Sequence, residues 1–150
     1  MDDVLQEMDE RRNKEKNIVI FNLDESDSNE EDLSKTVKII KYLNAESVEI
    51  NNINVQRLGK TKIDNKCRPL KVMLNSSKDV YEILKNCKKL KNYPVKSNII
   101  VNRDLTMYQR NVNYNIRKDF KSRKENGESN IILVYRKGFP KIIKVNEKNE

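Results

Sequence analysis

The chain has no histidine and no tryptophan, and only two cysteines, three glycines and three prolines in 150 residues. Without histidine it lacks the side chain that most often serves as general base or metal ligand near neutral pH. The two thiols, Cys67 and Cys87, cannot close a tetrahedral zinc site with no imidazole and no further cysteine, so neither a metal nor a cofactor is expected. A Cys67–Cys87 disulfide has workable spacing, but nothing marks an oxidising compartment. The scarcity of Gly and Pro excludes collagen-like and Pro-rich low-complexity chains. No apolar run approaches the ~18 residues of a membrane span. The opening Met-Asp-Asp-Val-Leu lacks the basic-then-apolar layout of a signal peptide. The expected setting is the cytoplasm, with the nucleus as a second compartment and no membrane partner.

What the chain has in excess is charge. Charged residues make up 36% of it, against about 25% in an average globular protein. The signs are separated along the sequence. Residues 1–50 carry 7 basic and 14 acidic side chains, whereas residues 51–150 carry 24 basic and 9 acidic. A basic segment of that size attracts polyanions, of which nucleic-acid phosphate is the usual one. The 22 lysines share AT-rich codons with the 21 asparagines and 15 isoleucines, so arginine positions weigh more as evidence. Seven of the nine lie beyond residue 50: Arg57, Arg68, Arg103, Arg110, Arg117, Arg123 and Arg136. The alternative is a merely solvated basic surface.

Periodicity predicts a polar helical tail over 1–16, then a buried strand in Asn-Ile-Val-Ile-Phe-Asn-Leu, residues 17–23. The acidic stretch 24–32 reads as a solvated loop leading into a helix, capped at Ser28 or Asn29, with Leu33, Val37, Ile40 and Leu43 as its apolar face. A second strand is expected around 53–58. A basic loop with Lys60, Lys62, Lys66 and Arg68 follows, and then a strand through Leu70, Val72 and Leu74. Ser76 or Ser77 should cap a helix presenting Val80, Ile83, Leu84, Cys87 and Leu90, broken at Tyr93-Pro94. A fourth strand at 98–102 precedes a long helix opened by Asp104 or Thr106 and stopped by Asn126-Gly127. Two strands, 131–135 and 142–145, close the chain. The predicted class is α+β: a ferredoxin-like, RRM-like βαββαβ sandwich followed by a long basic helix and a C-terminal β-hairpin. Its expected segments are the tail 1–16, an RRM-like domain 17–104, the helix and hairpin 105–146, and a tail 147–150.

Catalytic motifs are not complete. Gly59-Lys60-Thr61 precedes a strand and has Asn54 where a phosphate loop needs its first glycine. The carboxylates Asp24, Glu25 and Asp27 sit in an acidic loop that reads as a solvated face. No enzyme is expected.

Two segments point to binding instead. Ile18-Val19-Ile20-Phe21-Asn22-Leu23 fits five of the six places of the shorter RRM motif, with Val19 in the place of the base-stacking aromatic. Alternation puts Ile18 and Ile20 towards the helices and Val19 and Phe21 on the open side. The longer motif should fall near 68–75, where the open-face residues are Lys71 and Met73. The stacking platform is therefore missing, and Phe21 alone is left to stack one base or to pack under a neighbouring helix. In the long helix Tyr108, Val112, Ile116 and Phe120 form an apolar stripe. Arg110, Tyr114, Arg117, Lys121 and Lys124 form a second set, expected on the opposite face and facing a phosphate backbone.

These pieces resemble the RNA-binding protein encoded by the first open reading frame of LINE-type (non-LTR) retrotransposons. The resemblance covers residues 17–143. It rests on NIVIFNL, Gln56-Arg57-Leu58-Gly59-Lys60, Arg68-Pro69-Leu70-Lys71-Val72, the Leu84-to-Leu90 helix end, Asn102-Arg103-Asp104-Leu105-Thr106 leading into Gln109-Arg110, and the hairpin with Gly138. It implies a coiled coil, here reduced to 1–16, an RRM-like domain and a basic C-terminal domain that together coat single-stranded RNA as a nucleic-acid chaperone. It also implies basic contacts at Lys85, Lys88, Lys89 and Arg110.

The expected function is sequence-tolerant binding of single-stranded RNA or DNA. Its phosphate contacts come from Arg57, Lys60, Lys66, Arg68, Lys85, Lys88, Arg110, Arg117 and Lys121, in a groove between the RRM-like domain and the C-terminal helix. The competing reading is a pseudo-RRM that binds a protein through its open sheet. With barely two heptads in the tail the isolated chain is expected to be a monomer, self-association requiring a longer coiled coil.

Overall fold

The computed structural model describes residues 2–43, 45–60, 66–95, 98–136 and 138–145. The protein is mixed α+β and divides into two compact units, Met1–Asp104 and Leu105–Glu150.

The first unit is built on a sheet of four strands: β1 (Asn17–Phe21), β2 (Asn54–Arg57), β3 (Leu70–Met73) and β4 (Ile100–Arg103). They lie in the order β2-β3-β1-β4, each antiparallel to its neighbours. Helix α1 (Asp2–Lys14) precedes β1, α2 (Asn29–Tyr42) connects β1 to β2, and α3 (Ser77–Lys85) follows β3. A 3-10 helix over Cys87–Asn92, where a continuous helix was expected, then leads towards β4. Alternation sorts the strand residues. Ile18, Ile20, Val55, Leu70, Val72 and Val101 are buried, and form one core with Ile39 and Ile40 of α2 and Val80 and Ile83 of α3. Full burial of each such aliphatic side chain contributes roughly 1.5–3 kcal/mol before entropy is counted. The opposite side of the sheet carries Val19 across from Lys71 and Asn102, and Phe21 across from Ile100.

The serines cap as their chemistry requires. Ser28 Oγ accepts from the Glu31 amide, and Ser76 Oγ accepts from the Asp79 amide. The buried face of α2 differs from the expected stripe. Asp32, Thr36, Ile39 and Ile40 are buried, while Leu33 and Val37 are half-buried. Two polar residues can hold that arc because both are satisfied: Asp32 pairs with Arg57, and Thr36 Oγ1 donates to the Asp32 carbonyl at 2.8 Å. Both cysteines are free thiols, so the disulfide that spacing allowed is not formed.

The second unit holds α4 (Met107–Glu125) and a hairpin of β5 (Ile131–Arg136) and β6 (Phe139–Lys144), with α4 packed on both strands. Thr106 caps α4 through a reciprocal box with Gln109, each side chain meeting the other residue's amide at 3.1 Å. Gly127, at φ +96°, ends it: its amide donates to the Lys124 carbonyl and the Glu128 amide to that of Arg123. Strand β6 starts earlier than expected and includes Pro140, which faces Tyr135. A proline is tolerated there because the hairpin has only two strands and each has an open edge.

Candidate nucleic-acid interface

Helix α4 carries a line of exposed cations. At about 100° per residue, Arg110, Tyr114, Arg117, Lys121 and Lys124 fall within an arc of about 80°, and all five are exposed. Among the described residues no carboxylate pairs with Arg110, Arg117 or Lys121. Lys124 places its ammonium 5.8 Å from the centroid of the Phe120 ring. Tyr114, Arg117, Lys118, Lys121, Ser122 and Glu125 line an open surface depression.

The packed side of α4 corrects the expected stripe. The residues withdrawn from solvent are Gln109, Asn113, Ile116, Phe120 and Arg123, while Tyr108 and Val112 are exposed. A four-residue repeat advances about 40° further than whole turns at each step, so it winds round the helix and leaves a straight partner. The packed residues instead alternate steps of four and three, which stay aligned. The cation arc is consequently centred about 100° from the packed one, on its flank rather than opposite to it.

Several arginines that counted towards a basic footprint hold the fold instead. Arg57 is 7% exposed in its side chain and is fully engaged. Its Nε and Nη2 donate to the two Asp32 carboxylate oxygens at 3.1 and 2.8 Å. Its remaining N–H groups donate to the carbonyls of Leu23, Arg68 and Asp24 at 2.8–2.9 Å. A guanidinium has five N–H donors, and all five are used, so Arg57 is withdrawn from the phosphate contacts. Arg68 grips Glu25, its Nη2 lying 2.7 Å from Oε1, and its backbone amide donates to the same carboxylate. It too is a structural pin. Arg123 forks onto Glu128 across the α4 terminus.

The acidic loop, expected to be solvated, is thus tied down by two arginines. Hydrogen bonding to Arg68 holds the Glu25 carboxyl below its ordinary range. Burial pushes the Asp32 carboxyl up, but the hydrogen bonds and charge of Arg57 outweigh it and the net direction is down. Sequence alone carried a signal for neither pair, since both partners are about 25 to 43 residues apart in the chain.

The other expected contacts are placed as follows. Lys60 and Lys66 are exposed, and Lys62 lies outside the described residues. Lys85 is exposed and 3.7 Å from Glu82, while Lys88 and Lys89 are exposed on the 3-10 helix. Lys91, not singled out from sequence, is also exposed there, and the three-residue repeat of that helix puts it in line with Lys88. Phe21 is half-buried beside Ile100, and Val19 is 6% exposed despite lying on the side away from the core helices. No helix among the described residues is long and apolar enough to cross a membrane. Compared with known proteins, the chain matches no family model and no curated protein.

Proposed function

We propose that the protein is a non-enzymatic, sequence-tolerant binder of single-stranded nucleic acid, RNA in the first place, of the kind encoded by LINE-type retrotransposons. The observation that carries this reading is the line of Arg110, Arg117 and Lys121 on α4, exposed together with no carboxylate among the described residues paired to them. Arg57 and Arg68 leave the contact set, which keeps Lys60, Lys66, Lys85, Lys88 and Lys89 on the first unit and the α4 line on the second. The first unit is read as an RRM-like sandwich of the ferredoxin type. The strand order β2-β3-β1-β4, with α2 and α3 contributing to one core, supports that reading. Its side of the sheet away from that core bears Val19, Lys71 and Asn102 in place of a stacking platform, so phosphate contact supplies most of the affinity. The resemblance in sequence also favours RNA, and the cytoplasm, with the nucleus as a second compartment, is the setting we propose for it.

The test is a salt titration of wild-type binding to a labelled single-stranded oligonucleotide. Affinity should fall linearly on log–log axes, by about 0.7 in slope for each phosphate contacted. Salt-independent binding, or none, would contradict the reading and favour a protein-binding pseudo-RRM.

A further inference from the structure

Tyr114 sits in the widest interval of the α4 cation line. Arg110 and Arg117 are about 10 Å apart along the helix axis, whereas Arg117 and Lys121 are about 6 Å apart, at a rise of ~1.5 Å per residue. Tyr114 lies between the first two along the axis, at one edge of the arc, with 59% of its surface exposed. It borders the open depression formed with Arg117, Lys118, Lys121, Ser122 and Glu125, about 620 Å³ in volume. Tyr114 is the one uncharged member of that arc, with Ser122 and Glu125 also bordering the depression, and its apolar ring stands in water. Stacking a base would cover it. The bases of a duplex already stack on one another, so only a strand with unpaired bases can offer the ring a free π-face.

We infer that Tyr114 stacks one unpaired base over this depression, with the flanking phosphates held by Arg110 on one side and by Arg117 and Lys121 on the other. This stacking is what makes α4 prefer single strands to duplex. The inference rests on the reading of α4 as a phosphate-binding line, and the phosphate contacts alone would hold either form.

The test uses the full chain with two probes at one salt concentration, a labelled oligothymidylate and a hairpin duplex. Tyr114→Leu keeps apolar bulk, charge and helix propensity while removing the π-face, and Tyr114→Phe keeps the ring. Tyr114→Leu should weaken oligothymidylate binding about 5- to 150-fold, the equivalent of one base–aromatic stack. Its duplex affinity and salt slope should equal those of wild type, and Tyr114→Phe should bind oligothymidylate as wild type does. A Tyr114→Leu chain that binds oligothymidylate normally, or loses both probes equally, overturns the stacking. If wild type shows its ordinary salt slope in that case, the phosphate line stands without the stack. If wild type shows no salt slope, both readings fail.

Discussion

The Arg57–Asp32 pair shows what a residue's chemistry can and cannot reveal before its neighbours are known. Both side chains are buried, at 7% and 5% exposure, and their two charges are mutually satisfied. Removing one partner of such a pair costs about 3–5 kcal/mol, because the other is left buried and uncompensated. Arg57→Met should therefore lower the urea midpoint markedly, and Arg57→Met with Asp32→Leu should recover much of the loss. The pH dependence gives a sharper check. In wild type the folded Asp32 carboxyl titrates below its unfolded value, so its contribution is complete above the ordinary carboxylate range and is lost as pH falls through the lowered folded value. In Arg57→Met the largest downward causes are gone, and burial, which pushes that carboxyl up, is opposed only by Ser26 and by the charge of Lys35, so the loss of stability towards acid pH should be smaller than in wild type. Parallel stability–pH curves for the two proteins would contradict this account. Arg57 was legible as a cation and not as a buried one, since its role depends on Asp32, 25 residues earlier.

Elements were more legible than the faces they bury. Short β-branched runs, the serine caps and the Asn126-Gly127 stop are local signals, and they mark β1, α2, α3 and α4 because the governing forces act within a few residues. The buried arcs of α2 and α4 were not legible from apolar spacing. Thr36 and Asp32 on α2, and Asn113 on α4, are polar residues in packed positions, while Tyr108 and Val112 are apolar residues outside them. On α4 the capping box does much to fix where the helix begins. Thr106 is 1% exposed, so Thr106→Ala loses a satisfied buried hydroxyl as well as the cap. It should cost about 0.5–2 kcal/mol, read as faster native-state hydrogen exchange in the first turn of α4 while the first unit's sheet is unaffected. Equal acceleration in both units would mean that they unfold as one cooperative body.

At the scale of the whole molecule, the order of the elements carried the α+β class and the charge count its separation of signs, while the distinction between fold-holding and exposed cations emerged only with the fold. Arg57, Arg68 and Arg123 are committed to carboxylates, and α4 is left with Arg110, Arg117 and Lys121 in one exposed line. Helix α1 buries none of its residues and spans barely two heptads, so the chain should sediment as a monomer at micromolar concentration. A stable trimer in sedimentation equilibrium would mean that α1 or another surface assembles it. With no stacking platform on the sheet, Phe21→Ala should weaken oligonucleotide binding by no more than roughly 1–3 kcal/mol. Abolished binding with an intact fold would make the sheet the main site.

The measurement that bears most directly on α4 is the salt slope of a variant with Arg110, Arg117 and Lys121 all replaced by Ala. All three are exposed, and alanine is the best helix former, so the fold should persist. With Asp119→Ala, off the cation line, as the control, oligonucleotide affinity should be at or slightly above that of wild type. The triple variant should bind every sequence more weakly, with a log–log slope shallower by up to about 2. An unchanged slope would contradict the assignment of α4 as the phosphate-binding surface.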